Sequence, residues 1–85
     1  MPENGPRYDP HGPRLVWMSI ANDIAARIED GTYAEHQRLP NERELAEQYG
    51  AARETVRKAI RELRDRGLIF TVTGKGHFIG RPPED

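Results

Sequence analysis

The chain has 85 residues, 35% of them hydrophobic and 32% charged, with no cysteine and a formal net charge of -1. That length holds one small domain whose core is only marginally sufficient for stability, which argues against a large enclosed active site. No apolar run approaches the ~18 residues of a membrane span, no secretory leader is visible, and without thiols neither disulfides nor thiolate metal sites form; a soluble, cytoplasmic protein is expected.

Residues 1–14 contain Pro2, Pro6, Pro10 and Pro13 with Gly5 and Gly12, a density that blocks helix and weakens strand, so they read as a flexible arm. From about Val16 the pattern changes. Val16, Ile20, Ile24 and Ile28 recur every four residues with Trp17, Ala21 and Ala25 beside them, which makes one broad apolar helical face that stops at Gly31. TYAEHQRLP reads as a loop. Asn41 followed by Glu44 is an asparagine form of the capping box and opens a second, short helix that buries Leu45, Ala46 and Tyr49 and ends at Gly50.

The third helix begins near Ala52 or Arg53 and stops at Gly67, with Val56, Ala59, Ile60 and Leu63 on its buried side. Only a few residues separate it from the second helix, so a sharp helix-turn-helix bend is implied. After Gly67 the period falls to two: LIFTVT, the turn GKG and HFIG read as a β-hairpin, which RPPED ends because paired prolines cannot continue a ladder. The fold class is therefore mainly α with a small hairpin: a winged helix-turn-helix over residues 15–80, with 81–85 as a tail.

The net charge conceals an uneven distribution. Residues 1–52 sum to -4, residues 53–81 to +5 and the last four to -2. A basic second half suggests a face for an anionic partner. An arginine at the start of a helix can donate two hydrogen bonds to guanine, and Arg53 and Arg57 stand one turn apart at that end. Glu54 beside them suits a cytosine amino group or repulsion of misplaced phosphates. Thr55 and the free N–H groups of the helix start suit a phosphate. Gly74 and Gly76 allow positive φ and close backbone approach around Lys75, whose charge the turn presents outward, and Arg81 offers a further basic contact. The bland counterpart is a solvated face: Arg61, Glu62, Arg64, Asp65 and Arg66 read that way, with Glu62 and Arg66 paired at i,i+4. Trp17 reads as core or a subunit contact. The three histidines lack partners at metal spacing, Ser19 is the only serine, and no phosphate-binding glycine loop is present; neither metal, cofactor nor catalysis is expected.

RLPNERELAEQYGAARETVRKAIRELRDRGLI followed by TGKGHFI resembles the N-terminal DNA-binding domain of the GntR family of bacterial transcription regulators, over about residues 15–80. Trp17 and Ile20 resemble the start of the first helix in its HutC-like branch. The resemblance implies a repressor that binds a short palindromic operator of GT…AC type as a dimer, helix three in the major groove and the wing in the minor groove. It implies contacts from Arg43, Arg53, Glu54, Thr55, Arg57, Lys58, Gly74, Lys75 and Gly76. Four departures stand out. His36 occupies a usual glycine position, Asn41 a usual serine, and Ala51 with Ala52 the usual Val-Ser, which removes a hydroxyl cap from helix three. The larger C-terminal effector and dimerisation domain of the family is missing from these 85 residues, so a stand-alone regulator is expected, with a homodimer formed on DNA and no effector; a truncated piece of a larger regulator and a winged-helix protein-interaction module are the alternatives.

Overall fold

A computed structural model describes residues 13 to 83. Three helices precede one hairpin: α1 Pro13–Glu29, α2 Glu42–Tyr49, α3 Arg53–Asp65, β1 Ile69–Val72 and β2 Gly76–Ile79. The last two residues of the segment read as an arm thus belong to α1, since a helix's first turn tolerates proline, whose missing N–H would have no partner there. The rest of that segment lies outside the described residues, as do the final two of the tail.

The core is what the apolar spacing projects inward. Ile20, Ala21 and Ile24 of α1 meet Val56, Ala59, Ile60 and Leu63 of α3, with Leu45 and Ala46 of α2 beside them. Tyr33, Leu39, Ile69 and Ile79 close the side toward the hairpin. Val56, Ala59 and Leu63 have no accessible surface, so α3 is anchored along its length while its opposite face stays in water.

The bend between α2 and α3 rests on caps. Asn41 accepts from the Glu44 N–H at 2.8 Å, and the Glu44 carboxylate accepts from the Asn41 N–H at 2.9 Å, completing the capping box. Gly50 then takes φ 62°, a left-handed conformation open to glycine at little cost, and its N–H turns back to the last carbonyls of α2. Ala52 starts α3 in the extended conformation of an N-cap but offers no side-chain hydrogen bond. The hydroxyl whose loss was read from the sequence is therefore absent at a position that could use one.

The hairpin pairs Ile69 with Ile79, Phe70 with Phe78, Thr71 with His77 and Val72 with Gly76. Alternation puts Ile69, Thr71, His77 and Ile79 on one face and stacks Phe70 on Phe78 on the other, ring centres 5.7 Å apart. The segment read as a plain loop does more than connect. Arg38 forms an antiparallel bridge with Phe78, flanked by hydrogen bonds from Leu39 N–H to His77 O at 2.8 Å and from Ile79 N–H to Gln37 O at 2.9 Å. β2 thereby gains a neighbour on each side. So short a pairing leaves no alternating pattern to read.

His36 enters this bridge at φ 67°, the one positive φ outside glycine among the described residues. This explains why a glycine suits the position. The strained backbone is held by its N–H on Ile79 O at 2.8 Å, its ring nitrogen Nε2 at 2.9 Å from Arg81 O, and its ring edge-on to Phe70 at 6.0 Å.

The second half of α3 differs in part from a solvated flank. The Glu62–Arg66 pair forms at 2.8 Å, but Arg66 also donates to Asn22 Oδ1 at 3.0 Å and so ties α3 to α1. Arg64 donates to the Thr71 hydroxyl at 3.3 Å, reaching the hairpin. On the other side, the Tyr49 hydroxyl donates to Asp23, which also holds Arg27 at 3.1 Å; burial and that carboxylate push the phenol pKa up.

Candidate nucleic-acid interface

Four parts of the chain converge on one open hollow. The bridge segment supplies Arg38 and Leu39, the start of α2 supplies Asn41, Glu42 and Arg43, the start of α3 supplies Arg53, and β2 supplies Gly76 and His77. The hollow measures about 480 Å³. Three arginines border it against one carboxylate: Arg53 comes from the basic second half of the chain, whereas Arg38 and Arg43 come from the first half, whose net charge is negative.

Helix starts bring these groups together. The capping box fixes the first turn of α2, which carries Glu42 and Arg43. The sharp bend after Gly50 brings the start of α3 to the same end of the domain. Arg53 and Arg57 are exposed on α3, as are Glu54 and Lys58. Glu54, Thr55 and Lys58 border a second, smaller hollow with Ala52, at the uncapped helix start. Its unpaired N–H groups and the positive end of the helix dipole favour an anion.

Gly74 and Lys75 are exposed at the hairpin tip, while Gly76 is half-buried at its base. Gly76 takes φ 126°, and a Cβ there would lie 3.3 Å from Arg38 Nε. A side chain there would be strained by the backbone conformation and would press the Arg38 side chain away from the hairpin.

The predicted residues therefore fall into three groups: Arg43, Arg53 and Gly76 around the main hollow; Glu54, Thr55 and Lys58 at the start of α3; Gly74 and Lys75 at the tip. Arg57 joins the first group through Glu42. One Glu42 oxygen lies 3.4 Å from Arg57 Nε and the other 3.8 Å from His77 Nε2. His77 Nδ1 lies 2.9 Å from the Thr71 hydroxyl. Burial lowers the His77 pKa, and nearby Glu42 offsets this only in part. Arg38, Glu42 and His77 are the site residues that sequence reasoning missed. A basic residue before Leu-Pro was a legible signal for Arg38, whereas nothing local marks the other two.

Three helices, a helix-turn-helix bend and a hairpin beside the start of the third helix define a winged helix-turn-helix module. The chain belongs to the gntR family of bacterial regulatory proteins, whose family model matches residues 18–79. It is 36% identical over 70 residues to the histidine utilization repressor of Klebsiella aerogenes, covering 82% of this chain and 29% of that protein. It is 44% identical over 63 residues to the HTH-type transcriptional regulator TreR of Bacillus subtilis, covering 74% of this chain and 26% of that one. The chain thus spans less than a third of these curated relatives. Its fold is similar to that of AraR(DBD) in complex with operator ORR3, with TM-score 0.73 and 35% identity over 76% of this chain and 78% of that one. A GntR family transcriptional regulator from Listeria monocytogenes superimposes with TM-score 0.78 at 29% identity, over 88% of this chain and 64% of that one.

Proposed function

We propose that this chain binds double-stranded DNA sequence-specifically and represses transcription, with α3 in the major groove and the hairpin tip in the minor groove. The observation that carries this reading is the convergence of Arg38, Arg43 and Arg53 on one hollow beside the exposed start of α3. The likeness to an operator-bound domain and to curated repressors supports it.

In this reading Arg53 and Arg57 face base edges, where a bidentate arginine contributes ~1–3 kcal/mol of discrimination. Thr55 and the N–H groups of the α3 start hold a phosphate. Arg38 and Arg43 hold the backbone between the major groove and the wing, and Lys75 enters the minor groove between two glycines. Two copies bind a palindrome, because a site with twofold symmetry is matched by a protein pair with the same symmetry.

Selection of bound sequences from a random duplex pool, followed by mass measurement on and off the best site, tests specificity and stoichiometry together. Binding should weaken steeply with salt, and Lys75→Ala should reduce the magnitude of the logarithmic slope by about one. Unchanged discrimination in Arg53→Ala and Arg57→Ala would overturn the assignment of α3 as the reading element. No selected sequence, with binding to an acidic protein instead, would favour a protein-interaction module.

A further inference from the structure

The Glu42 carboxylate, in the first turn of α2 and among arginines, is well placed in the free domain but badly placed for meeting DNA. A negative charge within an arginine-lined hollow opposes a polyanion, so Glu42 needs a compensating role. Its surroundings supply one. Its side chain is 24% exposed and that of His77 15%, so both are held rather than splayed into water. Glu42 belongs to α2, Arg57 to α3 and His77 to the wing; a hydrogen bond from Arg57 Nε at 3.4 Å joins the two helices, and the His77 ring stands beside the other carboxylate oxygen, its Nε2 3.8 Å away. The Thr71 hydroxyl beside His77 Nδ1 holds the ring plane, and Arg64 in turn donates to that hydroxyl.

The contact with Arg57 is through Nε. The two terminal nitrogens of that guanidinium have no protein hydrogen-bond partner among the described residues, and they are the pair whose spacing matches guanine O6 and N7. A guanidinium held by Nε is restricted in rotation and presents its outer edge, so less freedom is lost when it meets a base.

We propose that Glu42 is a positioning and specificity-determining residue: by accepting from Arg57 Nε on one oxygen, with the His77 ring beside the other, it sets which edge of Arg57 meets a base. This rests on the DNA-reading function proposed above. The carboxylate sacrifices general attraction to DNA for discrimination between sequences, a trade that a mere counter-charge would not make.

The test compares affinity for the duplex selected by the wild-type protein with affinity for a scrambled duplex of equal length and composition. Glu42→Ala should bind the scrambled duplex more tightly, having one negative charge fewer, yet lose about tenfold in the ratio of selected to scrambled affinity. Glu42→Gln should keep most of the ratio, because its amide oxygen can still accept from Arg57 Nε. In an Arg57→Ala background, Glu42→Ala should lower the ratio no further. Thermal melts confirm folding, and Glu42→Met, which keeps the side-chain bulk, replaces the alanine variant if that one is unfolded at the assay temperature. A ratio unchanged in Glu42→Ala or Glu42→Met, with both affinities raised equally, makes Glu42 a repulsive charge only and overturns the proposal. An equal loss of ratio with and without Arg57 overturns it as well. Failure of the wild-type protein to prefer any duplex refutes the DNA-reading function instead, so the two failures are distinguishable.

Discussion

Replacing Ala52 with serine should make the domain more stable, because α3 begins in cap geometry without a cap. Ala52 has φ -67° and ψ 149°, its carbonyl already accepts the Val56 N–H at 3.1 Å, and its side chain is exposed. A serine hydroxyl would thus reach the N–H of Glu54 or Thr55 with no movement of the backbone and no clash. Capping residues exceed alanine by about 1 kcal/mol. For a domain of this size that corresponds to a rise of roughly 4–8 °C in Tm. The chain contains its own control in the completed box of α2, where Asn41→Ala removes the 2.8 Å bond to Glu44 and should cost about the same amount. Urea unfolding of the two variants against the wild-type protein measures both. If Asn41→Ala destabilises while Ala52→Ser leaves the midpoint unchanged, water satisfies the α3 start without penalty and the reasoning fails. Ala52→Asp extends the test to function. Its charge suits the helix dipole and stabilises the free domain at least as well, but it stands where a phosphate is proposed to sit, so duplex binding should weaken.

Leu63→Ala, at a side chain with no accessible surface between α1 and α3, should cost 2–5 kcal/mol by urea unfolding, about enough to unfold much of so small a domain. His36→Val should destabilise by about 1–2 kcal/mol, since a β-branched residue is poorly tolerated at φ 67°, whereas His36→Gly exchanges relieved strain for the lost contacts with Arg81 and Phe70 and should change the urea midpoint little. The His77 pKa is lowered in the folded state, so the unfolded chain binds more protons in the interval below about 6.5. The contribution of His77 is therefore fully present above that pH and is lost as pH falls through the folded-state value. Unfolding free energies at pH 7.5 and 5.5 should differ less in His77→Gln than in the wild-type protein; an equal difference refutes the assignment.

The amino-acid sequence by itself determined the helices, the hairpin and the face each one buries. Apolar residues every three or four positions, the Asn41–Glu44 pair, Gly50 and the change to period two after Gly67 act over a few residues, within the range of backbone hydrogen bonds and of side chains on one turn. The exposure of Arg53, Arg57 and Lys58 followed from the same spacing, since burying Val56, Ile60 and Leu63 turns them outward. The placement of the other site groups was not local. Glu42 meets Arg57 and His77, fifteen and thirty-five positions away in the chain, and Arg38 lies against Gly76 only because the bridge segment docks on β2. Those meetings depend on the angle at which α2 crosses α3 and on where the hairpin returns, and no pattern along the chain encodes either. The tertiary structure alone decided that a carboxylate stands among the arginines, because packing the buried faces together brings the starts of two helices and one strand of the wing to the same end of the domain.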